Sequence, residues 1–227
     1  MKVFGRNVLK ELLSNPKDIK KIYLSKSLKD QDLVKAIKDL HLQYETVDNR
    51  VMDGMVEGNH QGVVVIINDY EYSDYHDMFN DQVVVMLDHL EDPHNFGAII
   101  RTCEAAGIKS IIIPKDRSVD VNSTVMKTSA GALEYVNVAM VSNLNKVIDE
   151  FKNQGYFVYG AEADGTLYSK CNYSDKMVLV IGSEGNGLSR LVRENCDEIV
   201  SLPMNGHVNS LNASVAAAIL IYDIIGR

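Results

Sequence analysis

Four apolar runs beyond residue 82 constrain the fold more than any other feature: VVVML at 83–87, SIII at 110–113, FVYG at 157–160 and MVLVIG at 177–182. They are continuous rather than alternating and rich in β-branched residues. Strands with that character are buried on both faces, and the stretches between them are long enough for helices, so the pattern predicts an α/β domain with a mainly parallel sheet. Gly107 and Gly155 each follow an apolar-periodic stretch, where a left-handed helix stop is wanted.

The residues before 83 read differently. Val8, Leu9, Leu12 and Leu13 share a helical face, KIYL follows as a strand, Leu33, Val34, Ile37 and Leu40 recur at helical spacing, and VVVII at 63–67 closes the unit. The stretch NDYEYSDYHDMFNDQ at 68–82 is polar and acidic and lacks clear periodicity, so the linker is placed at roughly 68–80. The expected organisation is therefore a small amino-terminal α/β domain at 1–70 and a larger α/β domain at 80–227, which suits a chain of 227 residues.

Several classes fall away on composition. No apolar run approaches the 18 or more residues of a membrane span, and the start MKVFGRNVLKELL lacks the apolar core of a signal peptide, so a cytoplasmic protein without membrane association is expected. Cys103, Cys171 and Cys196 are odd in number, far apart and without C-x-x-C spacing, which supports neither a disulfide framework nor a metal site and suggests small core hydrophobes. The net charge of -8 argues against a nonspecific nucleic-acid binder. Residues 1–40 nevertheless carry ten Lys and Arg against five Asp and Glu, so either a local basic face or an ordinary solvated surface lies there.

Three segments beyond residue 87 hold more Gly, Asn and Ser than core formation needs, and each follows an apolar run, where open α/β sheets bind ligands. The first, DHLEDPHNFGAIIRTCEAAG at 88–107, leads through Asn95 and Gly97 into a helix carrying Arg101; alone, Asn95 could cap that helix and Arg101 could be a solvated charge. The second, VLVIGSEGNGLSRL at 178–191, has three glycines that permit close backbone approach, with Glu184 the acidic side chain among them. In the third, at 201–227, a polar loop with Asn205, Gly206, His207, Asn209 and Ser210 precedes a helix in which Ala216, Ala217, Ala218, Ile219 and Ile221 leave no solvated face. Another helix or a second subunit is expected around it. His207 alone reads as a surface loop histidine.

Together and in this order, the segments resemble the three signature motifs of the SpoU class of SPOUT methyltransferases, RNA ribose 2'-O-methyltransferases that use S-adenosyl-L-methionine. FGRNVLKELL at 4–13 and HQGVVV at 60–65 resemble the RNA-binding domain that precedes the catalytic one in that family. DPHNFGAIIRTCEAAG, IIPKDRSV and PMNGHVNSLNASVA most resemble members that methylate guanosine 2'-hydroxyls in 23S rRNA. The resemblance implies a deep trefoil knot, a homodimer with the site near the subunit interface, structured RNA as partner and no metal. It implies that Gly182, Leu202 and Leu211 hold the cofactor through backbone groups, and that Asn95, Arg101, Glu184, Ser210 and Asn212 form the catalytic site.

Methyl transfer requires the ribose hydroxyl to lose a proton as it attacks. Arginine stays protonated, so Arg101 is expected to anchor a phosphate and stabilise the developing alkoxide rather than act as base. The proton then passes to that phosphate or to water. Asn95, Ser210 and Asn212 would position groups, and Glu184 would orient Arg101 or a loop. The competing readings are a tRNA enzyme of the same family, a catalytically silent RNA-binding relative, and a Rossmann-type oxidoreductase. The last is disfavoured because its glycine turn would follow the first strand, with an acidic residue about 20 positions later.

Overall fold

The computed structural model describes residues 1–14, 16 and 19–226; Lys17 and Asp18, counted in the amino-terminal charge balance, and Arg227 lie outside them. Contacts divide the chain into two units, Met1–Glu71 and Tyr72–Arg227.

The first unit runs β1 (Lys2–Phe4), α1 (Arg6–Leu12), β2 (Ile19–Ser25), α2 (Gln31–Asp39), β3 (Tyr44–Val47), α3 (Asn49–Asp53) and β4 (Val63–Ile67). Its sheet has the order β1-β4-β2-β3, with β4 antiparallel to both neighbours and β3 parallel to β2. VVVII supplies the inner strand, with Val63, Val64 and Val65 fully buried. In α2, Asp30 accepts a hydrogen bond from the Leu33 N–H at 3.1 Å and so caps the start, while Leu33 and Ile37, one turn apart, turn inward. The sequence reading lacked β1 and β3 because they are only three and four residues long and carry no continuous apolar run.

The second unit holds β5 (Val83–Asp88), α4 (Pro93–Ala105), β6 (Ser110–Pro114), α5 (Ser123–Ser129), β7 (Asn137–Val141), α6 (Leu144–Asn153), β8 (Phe157–Leu167), β9 (Met177–Gly182), α7 (Arg190–Asn195), β10 (Glu198–Ser201) and α8 (Ala213–Ile225). The six strands pair in the order β10-β8-β9-β5-β6-β7, every pair parallel. The four apolar runs are therefore the interior of the sheet, and all residues of β6 and β9 are buried. The two strands that the sequence did not reveal, β7 and β10, are its edges. Gly107 and Gly155 stand just past α4 and α6 with φ of 77° and 83°, the left-handed stops that the sequence suggested.

Within the stretch read as linker, Tyr75–Asn80 forms a 3-10 turn that belongs to the second unit. Met78 is 1% exposed against the sheet, Phe79 meets Phe151 edge-on at 4.8 Å, and Tyr75 donates to Glu150 at 2.7 Å. Burial pushes the Tyr75 hydroxyl up to about 12. Burying one methionine is worth about 1.5–3 kcal/mol, enough to hold so short a segment against the core. Its apolar residues are spaced for a single turn, which a search for longer periodicity overlooks.

Candidate active site

The last residues of β5 and β9 lie opposite each other, Asp88 beside Gly182, so the loops that leave these strands start side by side. Beyond β9 the chain makes a narrow reversal: the Ser183 N–H donates to the Gly187 carbonyl and the Gly187 N–H to the Ser183 carbonyl, both at 3.0 Å. The reversal is closed so tightly that a Cβ on Gly182 would stand 2.2 Å from the carbonyl carbon of Gly187 and 2.5 Å from the nitrogen of Leu188. Two carboxylates fix its exit. Glu162 of β8 accepts from the Leu188 N–H at 2.7 Å, and the fully buried Asp88 accepts from the Ser189 N–H at 2.6 Å while its other oxygen meets Nδ1 of His89 at 2.5 Å.

This reversal forms one wall of a cavity of about 320 Å³. Residues 202–213, the connection from β10 to α8 together with the first residue of that helix, supply the facing wall, with Leu202, Ser210 and Leu211 among them. Ile181, Val200 and Leu220 add apolar surface. The volume lies at the lower end of the range for small-ligand sites.

Asn95 ties the three loop segments together. It is 6% exposed and sits one turn into α4, where Asp92, not Asn95, caps the helix by accepting from the His94 N–H at 2.9 Å. Freed from capping, Asn95 donates from Nδ2 to Glu184 at 2.6 Å and accepts at Oδ1 from the Ser214 hydroxyl at 3.1 Å. Asn212 caps α8, accepting from the N–H groups of Ser214 and Val215 at 3.0 and 3.3 Å, and shares the one Ser214 hydroxyl proton with Asn95, its own oxygen being the nearer at 2.6 Å.

Of the residues that the sequence singled out, Gly182, Glu184, Leu202, Ser210 and Leu211 line the cavity, and Asn95 and Asn212 stand behind its walls. Arg101 is set apart. It is exposed on α4, about 9 Å along the helix from Asn95 and about 120° around it, and does not line the cavity. Glu184 pairs with Asn95, not with Arg101. Glu162 and Asp88 were not singled out; the only sequence signal for them was an acidic residue at or just past the end of an apolar run.

The helix read as wholly buried has two faces. Ala213, Ala217, Leu220 and Ile221 are buried, while Val215, Ile219 and Tyr222 are 47, 37 and 52% exposed and form an apolar stripe at helical spacing. Cys103 and Cys171 are buried as expected of core residues, and Cys196 is half-buried. Desolvation pushes the Cys103 thiol up to about 12, outside the range of a reactive thiolate. Among the described residues no group of His, Cys, Asp and Glu side chains is arranged to hold a metal ion, and no helix is long and apolar enough to cross a membrane.

The sequence model of the SpoU rRNA Methylase family matches residues 82–222, and that of the RNA 2'-O ribose methyltransferase substrate-binding domain matches residues 2–73. The chain belongs to the SpoU rRNA methylase family. Its relatives include a Staphylococcus haemolyticus protein assigned to the TrmH family of tRNA/rRNA methyltransferases, 43% identical, with 98% of this chain and 94% of that protein aligned. The SpoU architecture recurs in the methyltransferase AviRb of Streptomyces viridochromogenes in complex with AdoMet, at a TM-score of 0.83 and 20% identity over 100% of this chain and 89% of that one. It recurs again in the AdoMet-bound rRNA methyltransferase of Sinorhizobium meliloti, at 0.79 and 24% identity over 98 and 85%. The SpoU family is one of RNA methyltransferases, and the expected α/β class with a parallel carboxy-terminal sheet is the class observed.

Proposed function

We propose that this SpoU family member methylates the 2'-hydroxyl of a guanosine in 23S rRNA, with S-adenosyl-L-methionine bound in the cavity between the 182–187 reversal and the 202–213 loop. The observation that carries the reading is Asn95: one buried side chain bonds to Glu184 and to Ser214, so all three motif segments converge on one cavity. The residues fit the cofactor. The close approach at Gly182 leaves backbone polar groups at the wall, the facing side is apolar enough to take a flat base, and two carboxylates suit a cationic ligand. Gly182, Leu202 and Leu211 hold it.

S-Adenosylmethionine supplies a methyl group activated by the positive charge on its sulfur. The protein's part is to align the attacking hydroxyl and stabilise its developing negative charge. Asn95, held at both ends, and Asn212 keep the two cavity walls in register, and Ser210 faces the space where the ribose must approach. Glu184 fixes Asn95. Arg101 serves as a cation for an RNA phosphate and the developing alkoxide, with the proton leaving to that phosphate or to water.

The amino-terminal unit is the RNA-recognition part, in keeping with its exposed Lys2, Arg6, Lys10, Lys20, Lys29, Lys35 and Lys38. The protein works in the cytoplasm as a homodimer, and its connection from β10 to α8 forms the trefoil knot. Mapping ribose methylation in total RNA from cells with and without this gene tests the substrate: loss of one guanosine mark in 23S rRNA is expected. Loss confined to a tRNA moves the assignment to the tRNA enzymes of the family.

Two further expectations attach here. Residues 72–227, cut where the second unit begins so that Met78 keeps its place, are expected to bind the cofactor while RNA methylation falls sharply; a fragment as active as the full chain overturns the recognition role of residues 1–71. The stripe Val215, Ile219 and Tyr222 needs a dry partner, and sedimentation is expected to report a dimer at micromolar concentration. Ile219→Asp should yield a monomer, and a fully active parent monomer would overturn the homodimer.

A further inference from the structure

The cavity has a charge asymmetry that methyl transfer itself does not require. Two carboxylates, Glu162 and Glu184, line it, and no lysine, arginine or histidine does so among the described residues. Glu184 is engaged through Oε1 with Asn95. Glu162 is engaged through Oε1 with the Leu188 N–H, and both its oxygens flank Gly187, where an added Cβ would meet them at 2.5 and 2.9 Å. Among the described residues Oε2 has no hydrogen-bond partner, and a cation that interacts with Glu162 at longer range, Arg193 of α7, lies outside the cavity lining and is itself paired with Asp164 at 2.8 Å.

We propose that Glu162 is a specificity-determining residue whose negative charge makes the cavity prefer the cationic methyl donor to its neutral demethylated product. This rests on the reading of the cavity as the S-adenosylmethionine site. The donor has a sulfonium in addition to its amino and carboxylate groups and is cationic by one unit. The product, S-adenosylhomocysteine, has a thioether there and is neutral. All other contacts are common to both molecules, so a carboxylate with no ion-pair partner in the cavity lining separates them where shape cannot. The consequence is product release after each transfer, since the ligand loses its attraction to Glu162 when it loses the charge.

The test is calorimetric binding of three probes to the full-length protein: S-adenosylmethionine, S-adenosylhomocysteine, and sinefungin, which has an amine in place of the sulfonium methyl group. The parent is expected to bind both cations more tightly than S-adenosylhomocysteine. Glu162→Gln retains a side-chain oxygen for the Leu188 N–H but removes the charge. It is expected to cut that preference roughly tenfold, the scale of one unit charge acting across a partly hydrated site, with S-adenosylhomocysteine affinity moved by less than about threefold. Glu162→Asp keeps the charge and is expected to keep most of the preference. Equal weakening of all three probes in Glu162→Gln reduces Glu162 to a support for the reversal and overturns the proposal, as does an unchanged preference. A parent that binds none of the probes overturns the cofactor reading itself, a different result from either.

Discussion

Arg101→Ala is expected to slow methyl transfer by roughly 100-fold or more while leaving the protein folded and its cofactor affinity unchanged. The magnitude is that of removing one preorganised group from developing negative charge. The fold should survive because Arg101 is exposed and makes no hydrogen bond or ion pair among the described residues, while α4 is anchored by Ile99, Ile100 and Cys103, all fully buried. An exposed helical position of that kind costs about 0.5 kcal/mol or less on replacement by a good helix former. Arg101→Lys retains charge but loses the planar fork and is expected to restore only a small part of the rate. Single-turnover transfer at saturating RNA and cofactor is the measurement, because weaker binding then cannot pass for slower chemistry. A variant within about threefold of the parent returns Arg101 to the status of a solvated charge.

Gly182→Ala is expected to abolish measurable cofactor binding and to lower Tm. Gly182 does not have a positive φ, so the cost is steric: the new methyl group would stand 2.2, 2.4 and 2.5 Å from the carbonyl carbon and oxygen of Gly187 and the nitrogen of Leu188. These are backbone atoms, held by the paired Ser183–Gly187 bonds and by Glu162, and cannot swing aside as a side chain would. Opening the reversal costs about 2–3 kcal/mol, at the upper side of overpacking, and a Tm fall of roughly 5–10 °C. Gly185→Ala is the matched comparison for stability, since a methyl group there meets nothing within 4 Å. A Gly182→Ala protein with parental Tm and cofactor affinity would show that the reversal is not rigid.

Much of the sheet was legible because buried parallel strands must be apolar on both faces, and VVVML, SIII and MVLVIG are. Legibility fails at the margins for the same reason. β7 begins with Asn137 and β10 with Glu198, at edges where one side of the strand has no partner, and β8 continues through AEADGTL, seven residues beyond FVYG, as a strand whose outer residues meet solvent. Glu162 lies in that extension, which is why a residue lining the cavity carried only the weak signal of an acidic side chain just past an apolar run. Asn95 was visible as a motif position, but its partners were not: Ser214 gains meaning only when the start of α8 meets the start of α4. Asp92 takes the capping role that the sequence reading had allowed to Asn95.

The bonds of Asn95 also bear on how this chain can change over generations. Residues 184 and 214 lie 89 and 119 positions beyond residue 95 along the gene, yet the three form one hydrogen-bonded unit through the two ends of the Asn95 amide. Aspartate at 95 would set a carboxylate against Glu184, and alanine would remove the bond to Glu184 and leave the Ser214 hydroxyl to Asn212 alone. A change at one of the three is therefore expected to be tolerated best when another changes with it, although no stretch of sequence joins them.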